Sequence, residues 1–234
     1  MSQRLFAAVA VAALLCACGG KDLGNQLPDA QVQQDATVCV PPRVIYINTD
    51  GGNYIPGPTD STTNASIVLS DAATLDAYAG DVPALINCVE TAMADFNVTI
   101  TTTDPGDIDH YEIVVSGSGS EAFGLSAGLS ALAPFTCEEQ PRWLSPVFAK
   151  TPISNTQACV TTLWSIGSAA QLSHDLECSG PMTFAQYCGG SQPMFRDEST
   201  ACGDVEARNC PCTGQPEQNH YQQLHANFGV ACNN

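Results

Sequence analysis

Twelve cysteines among 234 residues constrain this chain more than any other feature. Cys16 and Cys18 close an N-terminal apolar run, and the other ten follow it: Cys39, Cys88, Cys137, Cys159, Cys178, Cys188, Cys202, Cys210, Cys212 and Cys232. An even set of this kind persists as disulfides only in an oxidising compartment, so it has to be read together with the N-terminus. There, Arg4 precedes an unbroken apolar run from Leu5 to Leu15, which has the charge and length of an export signal. It is too short for the roughly 20 apolar residues of a membrane-spanning helix. Export and disulfide formation therefore agree. Zinc is the rival use of cysteine, but no CxxC pair occurs, and Cys210-Pro211-Cys212 is closer than structural zinc sites space their ligands. The same tight spacing sends Cys210 and Cys212 to different partners; the remaining connectivity stays open.

The ending Leu15-Cys16-Ala17-Cys18 resembles a bacterial lipobox. That resemblance implies removal of residues 1–17 and an acyl anchor on Cys18, with the lipid membrane as partner. Gly19 in place of an aspartate points to the outer membrane of the cell envelope. Residues 18–38 are polar, Gln-rich and aperiodic, and read as a flexible tether. Residues 39–234 are long enough for one domain with its own core. The net charge is −17, because only seven residues are Lys or Arg. A nucleic-acid partner is excluded on that ground, since phosphate binding is carried by basic side chains.

Folding is expected from Cys39 onward. RVIYINT (Arg43–Thr49) is a nearly continuous β-branched and aromatic run, as in a strand buried on both faces. Residues 53–66 read as a polar loop. PALINCVETAMADF (Pro83–Phe96) opens on proline and repeats apolar residues at helical spacing. Strands are expected at 97–103, 111–117 and 144–149. Ser154 and Gln157 form a capping-box pair that opens a second helix running to about Gln171. Beyond Cys178 the chain is rich in Gly, Pro and Cys and reads as irregular.

The second helix carries the chemistry in question. A zinc-protease helix sets two imidazoles at i and i+4 with a glutamate between them as general base, and takes its third ligand after a sharp turn. Trp164 to His174 reads WSIGSAAQLSH. Set against HExxHxxGxxH, this stretch resembles the helix of the metzincin metallopeptidases with its chemistry removed. Trp164 stands at the first ligand, Ser165 at the base, Ser168 at the second ligand and Gln171 at the turn glycine, while His174 keeps the third ligand position. Asp175 resembles the residue that often follows that histidine, and Pro181-Met182 falls where the family places its Met-turn.

The resemblance implies an α+β fold: a twisted, mixed, mostly parallel sheet of about four or five strands packed on two long helices. A small irregular, disulfide-rich C-terminal subdomain follows, with the division near residue 174. It also implies a domain without catalytic activity, because one histidine cannot hold zinc as three ligands do, and without zinc no bound water becomes a nucleophile. The expected role is an envelope-anchored binding or structural module with a protein or peptide ligand in the former cleft. Gln171 takes the left-handed turn only at a cost, so the helix is expected to end differently.

Opposed to this stands an active secreted hydrolase, either a zinc peptidase with substitute ligands or a serine esterase. For the esterase, Gly124-Leu125-Ser126-Ala127-Gly128 fits GxSxG, and Asp175 or Asp197 with His220 or His225 completes the order serine, acid, histidine. The residues before Ser126 are SGSGSEAF, however, not the strand a nucleophile elbow requires. Gly117 to Ala122 matches the dinucleotide pattern GxGxxA and reads instead as a Gly/Ser loop. No cofactor is expected, although Asp104, Asp107 and Asp109 could offer oxygens to calcium.

Overall fold

RVIYIN forms strand β1 (Arg43–Asn48) at the interior of a parallel sheet, where two-sided burial accounts for its unbroken apolar character. The structure, a computed structural model, describes residues 41–150 and 153–229. The leader at 1–17, Cys18, the tether at 18–38, Cys39 and Cys232 lie outside the described residues.

After β1 the chain makes β2 (Gly52–Pro56), a 3-10 turn at Ser61–Thr63, β3 (Ala65–Ser66) and β4 (Ala73–Leu75). It continues through α1 (Val82–Met93), β5 (Val98–Thr101), β6 (Tyr111–Ser116), β7 (Leu144–Phe148) and α2 (Asn155–Ala169). The last elements are β8 (Ser199–Ala201), β9 (Glu217–Asn219) and α3 (His220–Phe228). The fold is mixed α+β. Its main sheet runs in the order β5-β1-β6-β7 with all three pairings parallel. An isolated antiparallel bridge, Ala131 to Val147, lies on the β7 edge. There Phe148 N–H donates to Ser130 O (2.8 Å), Leu132 N–H to Pro146 O (3.0 Å), and Ser145 Oγ to Leu132 O (2.7 Å). A strap of the chain's own backbone thus covers that edge.

Alternation along the strands divides the interior. Ile45, Ile47, Ile113, Val115 and Val147 face the helices and pack with Leu85, Val89, Leu163 and Ile166. Val114, Leu144 and Phe148 face the opposite way and pack with Tyr54, Leu75 and Phe123 under a small sheet of order β3-β2-β4. Two departures from the sequence reading concern these layers. Residues 53–66, expected as a loop, supply β2 and β3; the strands are short and only Tyr54 of β2 is buried, so no hydrophobic period marks them. The C-terminal part, expected to be irregular, contains a short hairpin and α3, whose buried residues are His220, Leu224 and Phe228.

A charged group sits between the layers. Glu112 on β6 is 2% exposed, and its Oε1 accepts hydrogen bonds from Asn48 Nδ2 and Tyr54 OH, both at 2.9 Å. Burial pushes its acid up to about 7, against the two hydrogen bonds that favour the charged form.

Among the described residues, four disulfides fix the rest. Cys88–Cys159 ties α1 to α2, Cys137–Cys212 holds the end of the strap to the C-terminal part, and Cys178–Cys188 and Cys202–Cys210 close short loops. Cys210 and Cys212 do take different partners.

Candidate functional site

Helix α2 positions the site. Ser154 caps it by accepting from Gln157 N–H at 3.1 Å, but the Gln157 side chain donates to Thr161 Oγ1 rather than returning to the cap, so only half of the capping box forms. At the other end Leu172 N–H bonds Gly167 O (2.9 Å) and Gln171 N–H bonds Ser168 O (3.0 Å). This is the Schellman closure, and its residue after the C-cap needs a left-handed backbone. Gln171 occupies that place with φ 67°. The expectation that glutamine would end the helix differently is therefore corrected: two backbone hydrogen bonds closing the helix offset the cost of the left-handed conformation.

That turn returns the chain across the end of α2 and brings His174 against Trp164. The two rings stack with centroids 5.3 Å apart and planes 27° from parallel. His174 Nδ1 lies 2.6 Å from Asp204 Oδ1. A carboxylate only accepts, so the proton is on Nδ1, and the neutral ring has Nε2 left as an acceptor. Arg208 joins through Nη2 to Asp204 (3.3 Å) and through Nη1 to Ser173 Oγ (3.1 Å). Burial of Asp204 opposes its charge, but the hydrogen bonds from His174 and Arg208 outweigh it and hold the carboxyl below its ordinary range. Phe184 closes the second side of His174 with centroids at 5.2 Å.

Beside this cluster is a cavity of about 200 Å³, lined among others by Phe135, Trp164, Ser168, Leu172, His174 and Arg208. Trp164 and Ser168, one helical turn apart, share that face. Ser165 does not: it is fully buried and turned to β7, where its Oγ lies 3.1 Å from Ser145 Oγ and donates to it, the Ser145 proton being spent on Leu132 O. Met182 lies beneath the helix. A Cβ on Gly167 would fall 2.4 Å from the Met182 sulfur, so glycine at 167 is what lets the two approach.

Asp175 points away from the cavity's wall of aromatics into a separate buried cluster. Its Oδ2 lies 2.9 Å from His220 Nε2 and accepts from Thr200 Oγ1 at 3.1 Å, while its Oδ1 has no partner among the described residues. So Asp175 and His220, two residues available to a serine triad, do meet. Ser126 is elsewhere: it is exposed, follows the 3-10 turn Ser120–Phe123 rather than a strand, and its hydroxyl bonds neither. His225 packs on Phe96 (4.8 Å) and Tyr221 (4.3 Å), and Asp197 accepts from Asn219 and Gln222. Of the acidic turn, Asp109 pairs with Arg142 at 2.7 Å and Asp104 accepts from Gly106 N–H at 2.8 Å. Among the described residues no group of three His, Cys, Asp or Glu is placed to hold a metal ion.

Asp204, Arg208 and Phe184 are site residues that the sequence did not reveal. They reach His174 from 10 to 34 positions away through loops stapled by disulfides, and no periodicity links them to it. No family model, curated protein or solved structure matches this chain.

Proposed function

We propose that this chain is an envelope-anchored lipoprotein whose globular part is a metzincin-like domain without catalytic capacity, serving as a binding module. The observation that carries the reading is the Trp164–His174 stack with Asp204 on Nδ1. In an active site of this kind the third histidine presents a nitrogen to zinc beside two other imidazoles. Here an indole lies across its ring in the place of the first ligand, and hydroxyls stand at the second ligand and at the base. None of these replacements can donate a nitrogen lone pair to zinc or take a proton from a bound water near neutral pH.

The frame supports the family likeness. Gln171 makes the left-handed turn required of the glycine position, and Met182 lies under α2 against Gly167. The parallel sheet backed by α1 and α2 agrees with it as well. What remains is a cavity with aromatic walls, bordered on one side by the linked groups of His174, Asp204, Arg208 and Ser173, and such a site holds a ligand without transforming it.

The test uses the purified protein as exported by its host. The expected result is zinc well below one equivalent after incubation with zinc salt and gel filtration, and no proteolysis that a chelator abolishes. Stoichiometric zinc together with chelator-sensitive cleavage of protein substrates would overturn the reading. Mass spectrometry of the N-terminal peptide is expected to show diacylglycerol on Cys18.

A further inference from the structure

Resting on the binding-module reading, we propose that the cavity between Trp164, Ser168 and His174 receives a tyrosine side chain presented by a basic segment of another protein.

Size comes first. A cavity of about 200 Å³ lies below the roughly 300–1,000 Å³ of sites for drug-sized ligands. At about 30 Å³ of liquid volume per water it displaces on the order of seven waters, which is the scale of one large side chain. Its walls, Phe135, Trp164 and Leu172, suit an aromatic ring.

Polarity is more selective. The Ser168 hydroxyl faces the cavity from a residue only 2% exposed and has no hydrogen-bond partner among the described residues. That hydroxyl is open to an occupant of the cavity, and the indole Nε1 of Trp164 in the same wall is buried without a partner among the described residues. On the same cavity, His174 has its Nδ1 proton committed to Asp204, and in the neutral ring Nε2 is the acceptor. An occupant that is aromatic and carries a group able both to donate and to accept satisfies the pair, and among side chains that describes the phenol of tyrosine. Arg208 does not call for an anion here, because its guanidinium is already shared between Asp204 and Ser173.

The rim points to a protein rather than a free small molecule. Two exposed aromatic residues border the site: Phe135 lines the cavity and Phe184 (55% exposed) touches His174. Exposed aromatics beside a pocket with Trp and Arg in its wall have the composition of an interface anchor. The whole chain carries −17, and Glu206 is an exposed acid on the loop that supplies Asp204 and Arg208. Charge complementarity makes the partner's flanking residues basic.

The probes are capped pentapeptides with tyrosine, phenylalanine or glycine at the centre and two lysines on each side, titrated by calorimetry into the purified exported protein at low ionic strength. The tyrosine peptide is expected to bind about tenfold more tightly than the phenylalanine peptide, the worth of roughly one net hydrogen bond, and the glycine peptide not to saturate. Ser168→Ala is expected to erase the tyrosine preference while keeping the phenylalanine affinity. Raising the ionic strength is expected to weaken both peptides alike. Equal binding of all three peptides would overturn the proposal, since charge alone would then account for it. So would an affinity for p-cresol alone equal to that of the tyrosine peptide, which would make the occupant a free phenol. Absence of binding by a protein that is also zinc-poor and proteolytically silent overturns this inference and leaves the binding-module reading standing. Stoichiometric zinc with cleavage removes both.

Discussion

Replacing Glu112 with glutamine separates the charge of this residue from its shape. In the folded protein its acid is pushed up to about 7 by burial between the two sheets, from an ordinary 4.5. Below pH 4.5 the carboxyl is protonated in both the folded and the unfolded chain, and its full contribution to stability is present. Between 4.5 and 7 the unfolded chain loses the proton while the folded chain retains it, so stability falls as pH rises; above 7 the loss is complete. At 1.36 kcal/mol per unit, a difference of 2.5 units amounts to about 3 kcal/mol. Glutamine keeps an oxygen that can accept from Asn48 and Tyr54 but has no charge to bury. Urea denaturation, followed by the fluorescence of Trp143 and Trp164 with disulfides intact, is expected to give similar stabilities for both proteins at pH 4. At pH 8 the Glu112→Gln protein is expected to be more stable by about 3 kcal/mol. Other titrating groups cancel in the difference between the two curves, provided they lie far from Glu112. A variant no more stable than the parent at pH 8, or a gap that does not open between pH 4.5 and 7, would refute the reasoning.

Two further predictions concern the end of α2. Gly167→Ala is expected to cost about 1–3 kcal/mol in urea denaturation, because the new methyl meets the Met182 sulfur. Adding Met182→Ala to it is expected to cost less than the two single changes together, a coupling readable in a double-mutant cycle. Gln171→Gly is expected to stabilise by up to about 1 kcal/mol, since glycine relieves the left-handed strain at φ 67° while adding some entropy to the unfolded chain; a measured loss would mean that the Gln171 side chain contributes more than its backbone costs.

Strands β1, β5, β6 and β7 and helices α1 and α2 were legible because each carries its own period or an unbroken apolar run. β2, β3 and β4 were not: segments of two to five residues with one or two inward side chains generate no countable pattern. Helix α3 had a signal that the sequence reading passed over. Asn219 accepts from Gln222 N–H as an N-cap, and Gly229 closes the other end; both ends were on the page, with Leu224 and Phe228 spaced between them. At the site, Trp164, Ser168 and His174 could be grouped because helix geometry and one turn relate them. Asp204, Arg208 and Phe184 could not, because their approach is set by the folding of loops between disulfides. Glu112 is an intermediate case. A lone acid in YEIVVS announced a polar group inside a buried strand, but its partners Asn48 and Tyr54 follow from the register of β1 and β6 and from the placement of β2, which the sequence does not give.

The strap along β7 depends on a covalent bond between distant parts of the chain. Ser130 to Leu132 shields the open side of the sheet, with Pro146 contributing an acceptor but no donor, and the strap's continuation is held by Cys137–Cys212 across a separation of 75 residues. Until that bond forms during oxidative folding, only the local hydrogen bonds retain the shield, and β7 offers its free backbone groups to any neighbouring chain. Protection from intermolecular strand pairing is thus acquired with oxidation, and a chain withheld from an oxidant is the form most prone to aggregate.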